Sequence, residues 1–357
     1  MLKLVYAVDR LSYNNKDHLG VVKKVEAQIS LFQKKGIAAT LCQYVWEDGY
    51  PQIEIEEDTD ILYFRRIEPS VKMILKLREL KRKSPKLRLI MEIPTYPFGE
   101  EEREKISIKR EINRLIGEKL LRFYIDRIVL IAQQNKIEAL YGVPVICVNN
   151  GIDFSSIAVR SVSENKEGIH VLCVSGCFFW HGYERFIEGL NDYYKRHNRE
   201  ENVYFHIVGD GECLNDYKVL ADKYGLLDKV VYLHGRMIGQ ELDAMFDLCD
   251  IALDCLGAHR KGLYMSSSLK TREYAAKGLP MAASISLDIQ NEKTDKYILM
   301  FPADESAINI EEVVDFYHRI YDEGEKTVIA EQIRNCFYPY CDWEFVFDGV
   351  VDYIVLD

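Results

Sequence analysis

No stretch of this sequence approaches the ~20 consecutive apolar residues that cross a bilayer as a helix. Surplus positive charge is also lacking. The net charge of −11 excludes a general nucleic-acid binder, whose affinity rests on Lys and Arg against phosphates, although a local basic patch survives that argument. The nine cysteines form no CxxC pair and no Cys/His cluster with zinc spacing. Cys42, Cys147, Cys173 and Cys249 instead sit inside apolar runs, as buried thiols of a reducing compartment do. Met1 runs straight into the apolar segment LKLVYAV, without the long apolar region and small-residue cleavage site of a secretory signal. The expectation is a cytoplasmic protein. What is present is globular: 48% hydrophobic and 29% charged residues over 357 positions, enough for two domains of ordinary size.

Short apolar runs alternate with longer helical stretches, the pattern of βαβ units and parallel sheets. In the first half the strand candidates are residues 2–8, 38–43, 61–64, 87–92, 127–131 and 145–148, with helices at 21–35, 69–83, 101–125 and 135–141. Asn149-Asn150-Gly151 and the polar residues after Ser161 then mark a linker. A second alternation follows, with strands at 169–175, 203–208, 230–234, 251–254, 280–283 and 297–301 and helices near 183–197, 213–224, 239–247 and 268–277. The fold class expected is therefore α/β with two Rossmann-like, doubly wound domains, at 1–155 and 165–335. The aromatic, helix-compatible tail 336–357 is expected to pack back onto the first domain.

Doubly wound sheets bind ligands at the carboxyl ends of their strands, so the loops after strands carry the chemistry. Gly209 and Gly211, in Gly209-Asp210-Gly211-Glu212 after a strand, permit a tight turn and close backbone approach, as a plain strand-to-helix turn also would. His234-Gly235-Arg236 follows another strand, where the backbone of Arg236 and Met237 suits a planar base; an ordinary turn explains it equally well. After the second half's first strand come Gly176 and then His181-Gly182-Tyr183-Glu184-Arg185 at a helix start. Free N–H groups there favour a diphosphate, and His181 and Arg185 add donors. The densest segment runs from His259-Arg260 through Ser268-Leu269-Lys270-Thr271-Arg272-Glu273. Ser268 caps a helix, Lys270 and Arg272 place cations near its start, and Glu273 lies one turn beyond Lys270. Cations at a helix N-terminus oppose its dipole, so a bound anion is one reason for them; a solvated ion pair is the other.

These features in this order resemble the retaining glycosyltransferases of the GT-B fold, the "group 1" family (glycosyltransferase family 4). The matching residues are Gly20, Asn150-Gly151-Ile152-Asp153, His181-Gly182, Gly209-Asp210-Gly211-Glu212, His234-Gly235 and the segment from Glu273 to Pro280. The resemblance spans nearly the whole chain and is strongest over 145–285. It implies a UDP- or GDP-linked sugar donor and a glycan or lipid-linked acceptor. The reaction implied needs neither metal nor organic cofactor and serves surface polysaccharide assembly. Lys270 would stabilise the leaving diphosphate and Glu273 would hold the ribose. Two departures stand out. Met265 occupies the position of the family's earlier glutamate, and His181 stands where a lysine is usual. They keep open a non-catalytic nucleotide-binding or partner subunit of the same fold, beside a UDP-sugar epimerase.

The first half would supply the acceptor side, with Gly20 opening its helix and Glu92 and Tyr96 facing the ligand. Asp58-Thr59-Asp60 has the look of a metal-binding DxD but precedes its strand, on the side away from ligands, so no metal site is assigned. Residues 72–88 carry many cations around one acid, Glu79, with Met73, Ile74, Leu77 and Leu80 at helical spacing. That pattern suits either peripheral contact with the inner face of a membrane or a solvated face over a core stripe.

Overall fold

A computed structural model of the chain describes residues 1–14, 19–65, 69–96, 107–132, 137–162, 166–196, 201–322 and 324–356. The chain divides into two compact units, Met1–Ile152 with Trp343–Asp357, and Asp153–Asp342. The chain passes from one unit to the other after Ile152 and returns after Asp342.

The first unit contains β1 (Lys3–Asp9), α1 (Arg10–Asn14), α2 (Leu19–Lys34), β2 (Ala38–Tyr44), β3 (Trp46–Glu47), β4 (Tyr50–Pro51), β5 (Ile61–Arg65) and α3 (Val71–Lys83). It continues with β6 (Arg88–Tyr96), α4 (Ile108–Leu121), β7 (Arg127–Ala132), β8 (Ala139–Leu140) and β9 (Val143–Val148). Seven strands form one sheet in the order β2-β1-β5-β6-β7-β9-β8, parallel except where β8 meets β9. Alternate residues of each strand feed separate cores on its two faces, as a period of two requires. Two expectations are corrected here. A helix at 135–141 is replaced by β8 and a tight turn, with Tyr141 and Gly142 both at positive φ; residues 135 and 136 lie outside the described residues. The strand expected to end at residue 92 does not stop there, because β6 continues through Pro94 to Tyr96 with a register shift against β7. The loop expected after β1 holds α1, and residues 15–18 lie outside the described residues.

The second unit begins with β10 (Ile169–Val174), α5 (Glu184–Tyr194), β11 (Val203–Val208), α6 (Leu214–Lys223), β12 (Val231–Gly235), α7 (Gln240–Leu248), β13 (Ile251–Leu253) and β14 (Met265–Ser266). Then come α8 (Leu269–Lys277), β15 (Met281–Ala283), β16 (Ser286–Leu287), β17 (Ile298–Met300), α9 (Ile310–Tyr321) and α10 (Lys326–Cys341). Its six-stranded parallel sheet runs β12-β11-β10-β13-β15-β17. In chain order that is 3-2-1-4-5-6, the Rossmann arrangement, and the order reverses between β10 and β13.

The chain's last helices, α11 (Trp343–Val346) and α12 (Asp348–Leu356), belong to the first unit. Trp343, Phe347, Val350, Val351 and Ile354 are buried in the same core as Leu4, Tyr6, Tyr63 and Ile90. Arg88 closes the C-terminus of α12 by donating to the carbonyls of Tyr353 and Ile354 (3.2 and 2.6 Å), where a cation also meets the negative end of the helix dipole. Trp343 also accounts for the glycine of Asn150-Gly151. A Cβ at Gly151 would lie 2.7 Å from the indole.

One face of the second unit's sheet carries a ladder of imidazoles. His170 Nδ1 and His206 Nε2 are 2.9 Å apart, as are His206 Nδ1 and His234 Nε2. His170 Nε2 faces the Glu167 carbonyl at 3.2 Å, which only accepts. The neutral ladder therefore has one proton order, each ring donating through Nε2. Burial, together with the neighbouring His170 and His234, lowers the His206 pKa to about 3. Burial and Lys270 similarly bring His181 to about 3. An unfolded histidine titrates near 6.5. Between about pH 6.5 and 3 the unfolded chain therefore binds protons that the native one refuses, and stability falls as pH falls. The expected slope is about 1.4 kcal/mol per pH unit for each such histidine. Urea midpoints between pH 6.5 and 4 should fall steeply, and a His206→Asn variant should lose about one proton's worth of that slope.

Candidate functional site

The site lies in the second unit, at the carboxyl edge where β10 and β13 part. The two strands pair at Val171–Ile251 and Leu172–Ala252 and then diverge. Tyr274, from α8, spans the opening. Its hydroxyl accepts from the Val174 N–H (3.0 Å) and donates to the Leu253 carbonyl (3.2 Å), so both groups stay satisfied without a strand partner.

Above this crevice sits Lys270, in the first turn of α8 behind the Ser268 cap. Its Nζ lies 3.2 Å from Asp254 Oδ1 and 3.3 Å from both the Tyr183 hydroxyl and Cys255 Sγ. Burial works against this charge, but Cys255, Tyr183 and Asp254 outweigh it and hold the ammonium protonated well above the ordinary lysine range. Asp254 is wholly buried, and its Oδ1 also accepts from the Ser268 hydroxyl (3.2 Å). Its Oδ2 is buried as well and has no hydrogen-bond partner. His181 accepts the Phe178 N–H at Nδ1 (3.0 Å), which leaves the proton on Nε2. It is thus a donor as expected, but a neutral one.

The glycines of the neighbouring loops are fixed by backbone crowding. Gly209 and Gly211 have φ of 140° and 150°, and a Cβ on them would lie 1.8 Å from the Ser175 carbonyl oxygen and 2.6 Å from that of Cys177. The loops after β10 and β11 are locked together this way, with the Cys177 N–H donating to Asp210 (2.8 Å). Gly176 is exposed at their rim. Along the same edge, His234 ends the imidazole ladder, Arg236 is exposed and Met237 half-buried after β12, and Leu269 and Glu273 are half-buried on α8. Lys261 lies over the Trp180 ring, 3.1 Å from its centroid.

Three arginines expected near phosphate are committed elsewhere. Arg185 is buried and donates to the carbonyls of Ser306 (2.8 Å), Pro302 (3.0 Å) and Leu256, with Asp304 as its counter-ion. Arg272 is wholly buried against Asp288, Ser267 and Thr271. Arg260 is clamped by Glu184 and Glu305. In each case the counter-ion is distant in sequence, so the charge alone gives no sign of it. Asp254, Tyr183 and Tyr274 are the site residues that sequence reasoning missed. An acid immediately after the apolar run Ile251-Ala252-Leu253 was the available signal for the first.

In the first unit, Glu92 is interior to the protein. Its carboxylate takes hydrogen bonds from Tyr63 (2.7 Å) and Gln28 (3.0 Å), with Lys24 Nζ at 3.0 Å and Arg65 Nη1 at 3.6 Å. Burial tends to raise its pKa, but the two cations outweigh that and lower it. Lys24 is brought down to about 8, mainly by burial. This is a structural ion cluster, not an acceptor contact. Gly20 is exposed in the first turn of α2, and the Tyr96 side chain lies outside the described residues. Asp58 and Asp60 both hold Lys3, the former through its ammonium and the latter through its N–H at 2.8 Å. Among the described residues no group of three or more His, Cys, Asp or Glu is placed to hold a metal.

No family model and no curated protein matches this sequence. Solved structures do match its fold over its whole length. A glycosyltransferase from Rickettsia africae aligns with a TM-score of 0.62 at 12% identity, covering 99% of this chain and 98% of its own. Sucrose-phosphate synthase from Thermosynechococcus elongatus gives 0.63 at 12%, over 100% and 99%. Anabaena HepE, solved with UDP and glucose, gives 0.60 at 11%, with full coverage of both chains. The fold is GT-B, two doubly wound α/β units, as these glycosyltransferases have.

Two variants test the local geometry. Glu92→Gln leaves two buried cations without a counter-charge and should destabilise the protein by about 3–5 kcal/mol in urea titration. Tyr274→Phe strips the bridge between β10 and β13 and should cost about 1–3 kcal/mol.

Proposed function

We propose that the chain is a glycosyltransferase that moves a hexosyl group, with retention, from a UDP- or GDP-linked sugar to a glycan or lipid-linked acceptor. The observation that carries this reading is the placement of Lys270. A protonated ammonium stands in the first turn of α8, at the reversal point of a Rossmann sheet, where doubly wound folds take their ligands. There the leaving diphosphate would meet Lys270, the Nε2–H of His181 and the N–H groups of the helix start. Glu273, one turn along α8, is the ribose ligand in this reading. The mechanism uses no metal and no organic cofactor, and the setting is surface polysaccharide assembly in the cytoplasm. The likeness to HepE, solved with UDP and glucose, supports the nucleotide class. No described helix is long and apolar enough to cross a membrane.

A second reading has its own observation. Asp254 already neutralises Lys270, and Met265 stands in β14 where the resembled family has a glutamate. A nucleotide-binding subunit without turnover would tolerate both. It would saturate with nucleotide yet release no donor sugar to any acceptor.

Thermal denaturation with UDP, GDP, ADP, CMP and dTDP tests the nucleotide site that both readings share, and release of the donor sugar to a supplied acceptor separates them. One diphosphate should stabilise selectively, by about 2.7 kcal/mol at a hundred times its Kd. Lys270→Ala should then weaken that nucleotide roughly 10- to 100-fold, the value of a charge-assisted hydrogen bond. Unchanged affinity would remove Lys270 from the phosphate site.

A further inference from the structure

The basic segment 72–88 does not keep its apolar stripe for a membrane. Met73, Ile74, Leu77 and Leu80 are buried in the first unit's core. The exposed apolar face belongs instead to the next helix. On α4, Ile108, Ile112, Leu115 and Ile116 are 81%, 53%, 45% and 45% exposed. They stand at i, i+4, i+7 and i+8, within one arc about 100° wide. The inward face of the helix is opposite. Gly117 meets the Pro69 carbonyl so closely that a Cβ would come within 2.2 Å, and Leu121 is buried. A stripe of helical spacing that faces water is the inverse of an ordinary surface helix, whose apolar face is the one covered. Phe123, 63% exposed just past the helix, extends it.

The charges around the stripe share one sign. Lys109, Lys119 and Arg122 are exposed along it. The helix's acids, Glu111 and Glu118, are both tied to Arg114 on the flank. The Val71 N–H donates to Asn113 Oδ1 (3.1 Å), which sets the start of α3 beside α4. The exposed row on α3, Val71, Leu75, Arg78 and Arg82, repeats the pattern of apolar residues followed by cations. This concentration of cations occurs on a chain whose net charge is −11.

We propose that α4, with the exposed row of α3, docks the first unit onto an anionic lipid surface. The apolar stripe enters the boundary between headgroups and acyl chains, and the flanking cations meet lipid phosphates. The occupant is a bilayer because the apolar residues form one narrow row rimmed by cations, the pattern of helices that lie in an interface. This inference stands on the first unit alone and does not depend on the donor site.

The full chain is floated with vesicles of phosphatidylcholine alone and of phosphatidylcholine with phosphatidylglycerol. It should partition into the anionic vesicles and be released by added salt. Ile112→Ser/Ile116→Ser and, separately, Lys109→Glu/Lys119→Glu should each weaken partitioning roughly tenfold or more. All four positions are exposed, so thermal stability and stabilisation by nucleotide should match wild type. Failure of the wild-type chain to bind anionic vesicles overturns the proposal, as does a double variant that partitions as wild type does. A concentration-dependent dimer that Ile112→Ser/Ile116→Ser returns to monomer also overturns it, by assigning the stripe to a second copy of the chain.

Discussion

The second unit is organised around the place where its sheet comes apart. Parallel strands are held by evenly spaced backbone hydrogen bonds, and two that diverge must leave donors and acceptors behind. Here a single phenolic hydroxyl, that of Tyr274, takes one group from each strand. That bond ties α8 to both halves of the sheet, and it sets the height at which Lys270 stands above the opening. The crevice is thus kept open by a side chain of the helix that furnishes its charge. A change in α8 alters the shape and the electrostatics of the site together.

Charge in the interior follows one rule in both units. Each buried cation is matched to acceptors, and it is the matching that distinguishes scaffold from site. Arg185 and Arg272 are satisfied almost fully by carbonyls, hydroxyls and a carboxylate. Around Glu92 two cations share one carboxylate, and two neutral donors complete it. The Lys270–Asp254 and Arg272–Asp288 pairs each keep one carboxylate oxygen without a protein partner, and of these two it is Lys270–Asp254 that stands where β10 and β13 part. A group left incomplete at the carboxyl edge of a Rossmann sheet is what a ligand would finish.

Most of the strand positions were legible because parallel strands buried on both faces read as continuous apolar runs. The runs that become β1, β10, β11 and β13 are of that kind. The antiparallel β8 was not legible, since Ala139-Leu140 is too short and too neutral to differ from a helical turn. The glycines of Gly209-Asp210-Gly211 were legible as special positions, though not the reason, which is crowding against the carbonyls of Ser175 and Cys177. Arginine roles were the least legible. Nothing near Arg185 announces that its counter-ion is Asp304, or that the Leu256 carbonyl is waiting for it. Exposed and buried cations carry the same letter in a sequence, and only tertiary contacts separate them.

The return of the chain at Trp343 has a consequence for synthesis. The second unit is one uninterrupted stretch, Asp153–Asp342, whereas the first is completed by α11 and α12. Domains generally fold as units while the ribosome extends the chain from its N-terminus. Here the core of the first unit takes Trp343 and Phe347 from beyond the whole of the second unit. The stretch Met1–Ile152 therefore lacks part of its own core until the chain has been extended past Asp342, whereas Asp153–Asp342 is continuous.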